Sequence, residues 1–402
     1  MKFSRLLMFS ALVLLAAVLA GQGFWSSREL IPAHDNEKLL HQPAAAVDTV
    51  ISDATAVALP EKKRVIRVGL LLDTSNSMDG LIDQARAQLW EFVNALAREQ
   101  VDGDTPDLEL ALYEYGNDGL SSRNGYLRQV SGFTSELDVI SEKLFALTTN
   151  GGSEYCGTVI RAAARELSWS ALLDDVQVLF IAGNEEFDQG SVPWKMACSE
   201  AREKHITVNT IYCGDYESGV REGWKAGAQA GGGRYMNIDS NLETVFIDAP
   251  QDDELAALNE RLNATYIYYG EYGYDKFRNQ EVQDSNAELY GKANRSSRAV
   301  SKASSFYKNE SWDLVDASKE KGFDISKIER RHLPEQYRDK SDAELLVIIR
   351  VNKSERERIT LRINALNAER SLWIAANSPA GAAPTLSSAM LDAIRSQISS
   401  AQ

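Results

Sequence analysis

The chain is short of the residues that most zinc sites and redox centres need. Its 402 residues include four histidines, His34, His41, His205 and His332, and three cysteines, Cys156, Cys198 and Cys213. The histidines are scattered, without the spacing of a zinc ligand set. No C-x-x-C pair, Walker-type loop or G-x-S-x-G elbow is present, which removes the sequence support for thiol exchange, for a P-loop nucleotide site and for a serine hydrolase. Three cysteines outside the cytoplasm leave room for one disulfide and one spare thiol, or for three small buried apolar side chains. Cys156, Cys198 and Cys213 are therefore disulfide candidates with no pairing assigned. Positive charge is also short: 43 Lys and Arg stand against 58 Asp and Glu, a formal net charge of −15. Such a surface repels phosphate backbones, so nucleic acid is not expected as a partner, whereas divalent cations are favoured.

What is present is a core and an export signal. Apolar residues make up 44% of the chain, enough to build a packed interior. Lys2 and Arg5 precede an apolar run from Leu6 to Ala20 with no acidic residue inside it. That is a basic start followed by a signal-length hydrophobic stretch, so residues 1–24 read as a signal peptide or an N-terminal membrane anchor. Either one exports the body of the protein to the periplasm or cell envelope. Residues 25–62, with Pro32, Pro43, Pro60 and short alanine runs, read as a linker.

From residue 63 the pattern alternates. Val65 to Leu72, Leu108 to Tyr115, Val176 to Ala182 and Ile206 to Tyr212 are short β-branched and leucine-rich runs with little alternation, as in strands buried on both faces. Tyr126 to Val130 reads as a short edge strand and Tyr235 to Ile238 as a final one. Helical periodicity fills the gaps over Leu81–Arg98, Glu136–Leu147, Thr158–Leu172, Pro193–Lys204, Glu217–Ala230 and Leu242–Ile247. Strands alternating with helices predict an α/β fold over 63–248: a doubly wound, mostly parallel sheet with helices on both faces, whose ligand sites lie at the carboxyl ends of the strands.

Residues 249–402 read as a helical extension. Five tyrosines, Tyr266, Tyr268, Tyr269, Tyr272 and Tyr274, open it, as packing between the two parts or as a contact surface. Ser341 and Glu344 form a capping box for one long helix reaching about Ala376. Leu345, Asn352, Ile359, Leu366 and Trp373 recur every seven residues there, a coiled-coil-like seam interrupted by Arg356 and Arg370. Packing of that helix on its own domain is preferred over a coiled coil with a partner.

The first buried strand ends in Asp73-Thr74-Ser75-Asn76-Ser77-Met78. A carboxylate and two hydroxyls at alternate positions past a strand end can converge on one point, and such hard oxygen donors suit Mg²⁺, Mn²⁺ or Ca²⁺. Ser75 and Ser77 as simple helix caps are the plainer alternative. The segment resembles the D-x-S-x-S metal-ion-dependent adhesion site of the von Willebrand factor A (VWA) family. Gly151-Gly152-Ser153, the run Val178 to Ala182 and Gly231 to Tyr235 look like later landmarks of the same family. The resemblance implies a VWA-like domain over 63–248, with Asp73, Ser75 and Ser77 as metal ligands and Ser153 where a threonine is usual. Thr158 is a less suitable substitute for that threonine. It also implies a metal coordination position left open for a carboxylate of a partner protein. One departure stands out. The family usually has an aspartate after its central strand, and here the turn reads Ala182-Gly183-Asn184-Glu185-Glu186. Asn184 or Glu185 could supply an oxygen instead, and Glu154 and Asp188 could add charge at the same rim. The expected function is a non-enzymatic, extracytoplasmic protein-binding module, divalent-metal dependent through an incomplete adhesion site, with an unknown protein partner. The alternatives are a phosphate-handling hydrolase of the haloacid dehalogenase kind, which lacks its second aspartate because Ser75 stands there, and a thiol- or disulfide-dependent periplasmic factor.

Overall fold

The computed structural model describes residues 63–101, 103–242, 244, 246–378 and 384–401. The expected signal peptide or anchor (1–24) and linker (25–62) lie outside the described residues, as does most of the short segment joining the last two helices. No helix among the described residues is long and apolar enough to cross a membrane. Everything described falls in one compact unit.

Six strands form one sheet: β1 (Val65–Asp73), β2 (Asp107–Tyr115), β3 (Leu127–Thr134), β4 (Val176–Gly183), β5 (Thr207–Cys213) and β6 (Gly232–Ile238), in the order β3-β2-β1-β4-β5-β6. All pairings are parallel except β2 with β3, which is antiparallel at the sheet edge. The continuous apolar runs are the central strands, as expected for strands covered on both faces. On β1 the faces separate: Ile66, Val68, Leu70 and Leu72 join one core, Leu71 the other. The first core is closed by α1 (Asp79–Leu96) and α2 (Leu137–Ala146), the second by α3 (Cys156–Glu166), α4 (Trp194–Glu203) and α6 (Trp224–Ala230).

Three elements differ from the sequence reading. The helix expected over Glu217–Ala230 is broken into α5 (Tyr216–Arg221) and α6, because Gly223 between them adopts φ +93°, a conformation that ends a helix. The helix expected to reach Leu172 stops at Glu166: Leu167 is extended, and the Trp169 indole donates to the Ala163 carbonyl at 2.9 Å, folding the chain back. Leu242, expected to open a short helix, instead closes a turn begun at Asp239. Of the two readings left open for the cysteines, the structure shows buried apolar side chains and no disulfide among the described residues. Cys156, Cys198 and Cys213 are all free and buried, acting as apolar filler in the sheet and its helices.

Beyond β6 come α7 (Asp252–Asn263), α8 (Gly273–Glu288), α9 (Lys292–Lys302), α10 (Leu314–Ala317), α11 (Asp342–Asn377) and α12 (Leu386–Ala401). The change at 248/249 is one of element type and not of packing. Leu255, Leu258, Leu262 and Val300 belong to the same core as α1. α12 returns to the sheet: Met390, Ala393, Ile394 and Ile398 pack with α1, β4 and β6 on the first face. Helices α7 to α11 are thus inserted between the last strand and a helix that covers the sheet. The capping box at Ser341 and Glu344 starts α11 as expected. Of its seven-residue seam, Leu345, Ile359 and Leu366 are buried against the chain's own helices, as are Ile349 and Ile363 between them, while Asn352 and Trp373 are half-buried. The two arginines that interrupt it are buried there as well. Arg356 bonds Asp313 at 2.7 Å and Arg370 bonds Asp252 at 2.6 Å. Of the tyrosines, Tyr266 is buried in a stack on Trp312, while Tyr272 and Tyr274 are exposed.

Candidate functional site

The site lies at the carboxyl end of β1, where β1 and β4 are neighbours. Asp73 is the last residue of β1 and is fully buried. Its Oδ1 accepts the Ser75 backbone N–H at 2.7 Å, while Oδ2 has no hydrogen-bond partner among the described residues. The following loop is fixed from two sides. Thr74 N–H donates to the Tyr115 carbonyl at 2.8 Å, Asn150 N–H donates to the Thr74 carbonyl at 2.9 Å and Asn76 N–H to the Gly151 carbonyl at 3.1 Å. That clamp brings the loop preceding α3 against the motif. The hydroxyls of Ser75 and Ser77 are 3.2 Å apart, and Ser77 donates to Asn184 Oδ1 at 3.2 Å. Four of the expected residues, Asp73, Ser75, Ser77 and Asn184, therefore meet at one place. The capping alternative is not realised: Ser75 makes no side-chain cap to the turn that follows it, α1 has no side-chain cap, and the Ser77 hydroxyl is turned to Ser75 and Asn184.

Ser153 and Glu185 behave differently. Ser153 pairs through its backbone with Gly116, and that pairing directs the next residue, Glu154, inward. Glu154 is 2% exposed, and its carboxyl group stands beside Asp73 and Ser75. Glu185 is exposed at the rim, its carbonyl held by the Trp224 indole at 2.7 Å. Asp188 is exposed as well, and Thr158 lies inside α3. From sequence, Glu154 was legible only as rim charge, because its inward turn depends on the Ser153–Gly116 pairing between distant loops.

Burial pushes both carboxyl groups above the ordinary carboxylate range, and Glu154 is pushed further because the Asp73 charge stands beside it. Two buried carboxyl groups this close hold either a proton or a cation between them. Glycine makes the closeness possible. A Cβ at Gly116, which has φ +79°, would stand 2.6 Å from Asp73 Oδ1 and 2.8 Å from Glu154 Cγ. A Cβ at Gly183 would stand 3.0 Å from Asp73 Oδ2. No group of three or more His, Cys, Asp or Glu side chains converges among the described residues. The donors here are two carboxyl groups, two hydroxyls and an amide oxygen, all hard oxygens. This set, with an orphaned carboxylate oxygen among it, fits a divalent cation of the magnesium, manganese or calcium kind.

No family model matches the chain, and no curated protein matches it. Similar solved structures do exist. The SpRpn10 VWA domain is 11% identical at a TM-score of 0.33, over 43% of this chain and 87% of that one. The conserved hypothetical protein BatB from Bacteroides thetaiotaomicron is 16% identical at a TM-score of 0.33, over 43% of this chain and 90% of that one. The proximal thread matrix protein 1 from the mussel byssus, with a zinc-occupied MIDAS motif, is 14% identical at a TM-score of 0.32; the match spans 44% of this chain and 41% of that one. The chain's own six-stranded order, β3-β2-β1-β4-β5-β6, and the D-x-S-x-S loop that follows β1 are what the resemblance to the VWA family rests on.

Proposed function

We propose that the chain is an extracytoplasmic VWA-type binding module and not an enzyme, and that it captures a protein partner at the rim above β1 and β4. In this reading a divalent cation, Mg²⁺, Mn²⁺ or Ca²⁺, is held at Asp73, Ser75 and Ser77 with Asn184 beside them, and the loops around it form the contact face. The observation that carries it is the buried Asp73 carboxylate, whose Oδ2 has no hydrogen-bond partner among the described residues, at the turn that also carries the Ser75 and Ser77 hydroxyls and faces Asn184. Two buried carboxyl groups side by side are costly without a proton or a cation between them, and the hydroxyl and amide oxygens around Asp73 favour the cation. Export rests on the basic and apolar start of the sequence, Lys2 to Ala20.

The hydrolase alternative gains nothing from the geometry. Position 75, where a haloacid dehalogenase-like enzyme needs its second aspartate, carries a serine whose hydroxyl is engaged with Ser77. The test is calorimetric titration of Mg²⁺, Mn²⁺ and Ca²⁺ into the full chain, beside Asp73→Ala. Heat of binding that disappears in the variant supports the reading. Absence of binding to the wild-type chain at millimolar ion defeats the metal-dependent part of it.

A further inference from the structure

We propose that Glu154 is the second charged ligand of the cation, supplied from the loop before α3 in place of the aspartate that is absent after β4. The inference rests on the metal reading of the same site and assigns to it a residue that the motif does not contain. With Asp73 alone the site offers one negative charge to a divalent ion, and adding Glu154 balances it. The geometry is built for the pair. Glu154 is 2% exposed, although a glutamate with no role would reach solvent from an adjacent loop. The Ser75 backbone N–H holds Asp73 Oδ1 at 2.7 Å, and Glu154 stands beside the same turn. Gly116 leaves open the space that any Cβ would fill between them. The alternative sources of charge are worse placed: Asn184, after β4, is a neutral amide, and Glu185 and Asp188 stand exposed at the rim.

The experiment is calorimetric titration of Mn²⁺ into the full chain and into Glu154→Gln, Glu185→Gln and Asp73→Ala, each checked for native fold by circular dichroism. Glutamine keeps the shape of Glu154 and removes only its charge. The expected result is that Glu154→Gln weakens Mn²⁺ by about tenfold or more, while Glu185→Gln stays within about twofold. Wild-type affinity in Glu154→Gln, with Asp73→Ala still dead, overturns the role of Glu154 and leaves the metal site standing. No Mn²⁺ binding by the wild-type chain overturns both. If Glu154→Gln does not fold, Glu154→Asp replaces it. That variant keeps the charge on a shorter arm, so weakened binding is expected, and unchanged affinity overturns the assignment.

Discussion

The guanidinium of Arg298 lies 4.3 Å from the ring centroid of Trp90, fully buried. Trp90 belongs to α1, which covers the sheet, and Arg298 to α9 of the inserted helices, so this contact joins the two parts of the chain. Arg298 is ringed by partners. The Tyr307 ring stands 5.0 Å away, Asp138 of α2 is bonded at 2.7 Å and Asp284 of α8 at 2.8 Å. Tyr307 in turn donates to Asp138 at 2.6 Å and accepts from Gln280 at 3.0 Å.

Replacing Arg298 with alanine leaves Asp138 and Asp284 buried without their shared cation. Breaking a buried ion pair from one side costs about 3–5 kcal/mol. Urea unfolding of Arg298→Ala should show a midpoint lowered accordingly. A loss below about 1 kcal/mol, the level of an exposed ion pair, would show that the Arg298 cluster adds little to holding the insert.

The same cluster makes stability depend on pH. Burial raises the Asp284 pKa, but the neighbouring Lys302 and Arg298 outweigh it and hold the carboxyl well below its ordinary range. A group whose pKa is depressed by folding stabilises above its unfolded pKa, near ~4, and loses that contribution as pH falls toward its folded value. Stability should therefore drop between about pH 5 and pH 2 more steeply in the wild-type chain than in Asp284→Asn, which is less stable at neutral pH. Parallel pH profiles for the two proteins would remove Asp284 from the acid response.

The inserted arrangement of α7 to α11 predicts that α12 is part of the sheet's cover. Ile394 is fully buried, in one core with Leu70, Leu72 and Leu89. Ile394→Ala should cost about 2–5 kcal/mol in chemical unfolding, the range for a large-to-small change in a packed core. If α12 were a peripheral tail, the cost would fall within about 0.5 kcal/mol.

These elements show what the residues disclosed in advance. The central strands were legible because Val65 to Leu72 and Val176 to Ala182 are apolar without alternation, a pattern that only a strand covered on both faces tolerates. The motif after β1 was legible because Asp73, Ser75 and Ser77 are local to one loop. The role of Glu154 was not, since its direction is set by the pairing of Ser153 with Gly116. Nor was the return of α12 to the sheet: a short amphipathic helix carries no mark of which surface it covers. The interruptions of α11 by Arg356 and Arg370 looked like defects in a seam. They are buried ion pairs whose partners, Asp313 and Asp252, lie far away in sequence.

The cysteines give the last prediction. Cys156, Cys198 and Cys213 are buried thiols, and Cys198 approaches the Gly227 carbonyl at 3.7 Å. Burial pushes Cys198 up to about 12 and raises Cys156 and Cys213 as well, with the Asp73 charge adding to the effect on those two. The thiolate is the reactive form, so the native protein near pH 8 should react slowly with a disulfide reagent at all three positions. After unfolding in guanidinium without reductant, three thiols per chain should titrate rapidly. A count of one would mean that two of them are joined, and the apolar packing around at least one of α3, α4 and β5 would then have to change to bring the sulfurs together.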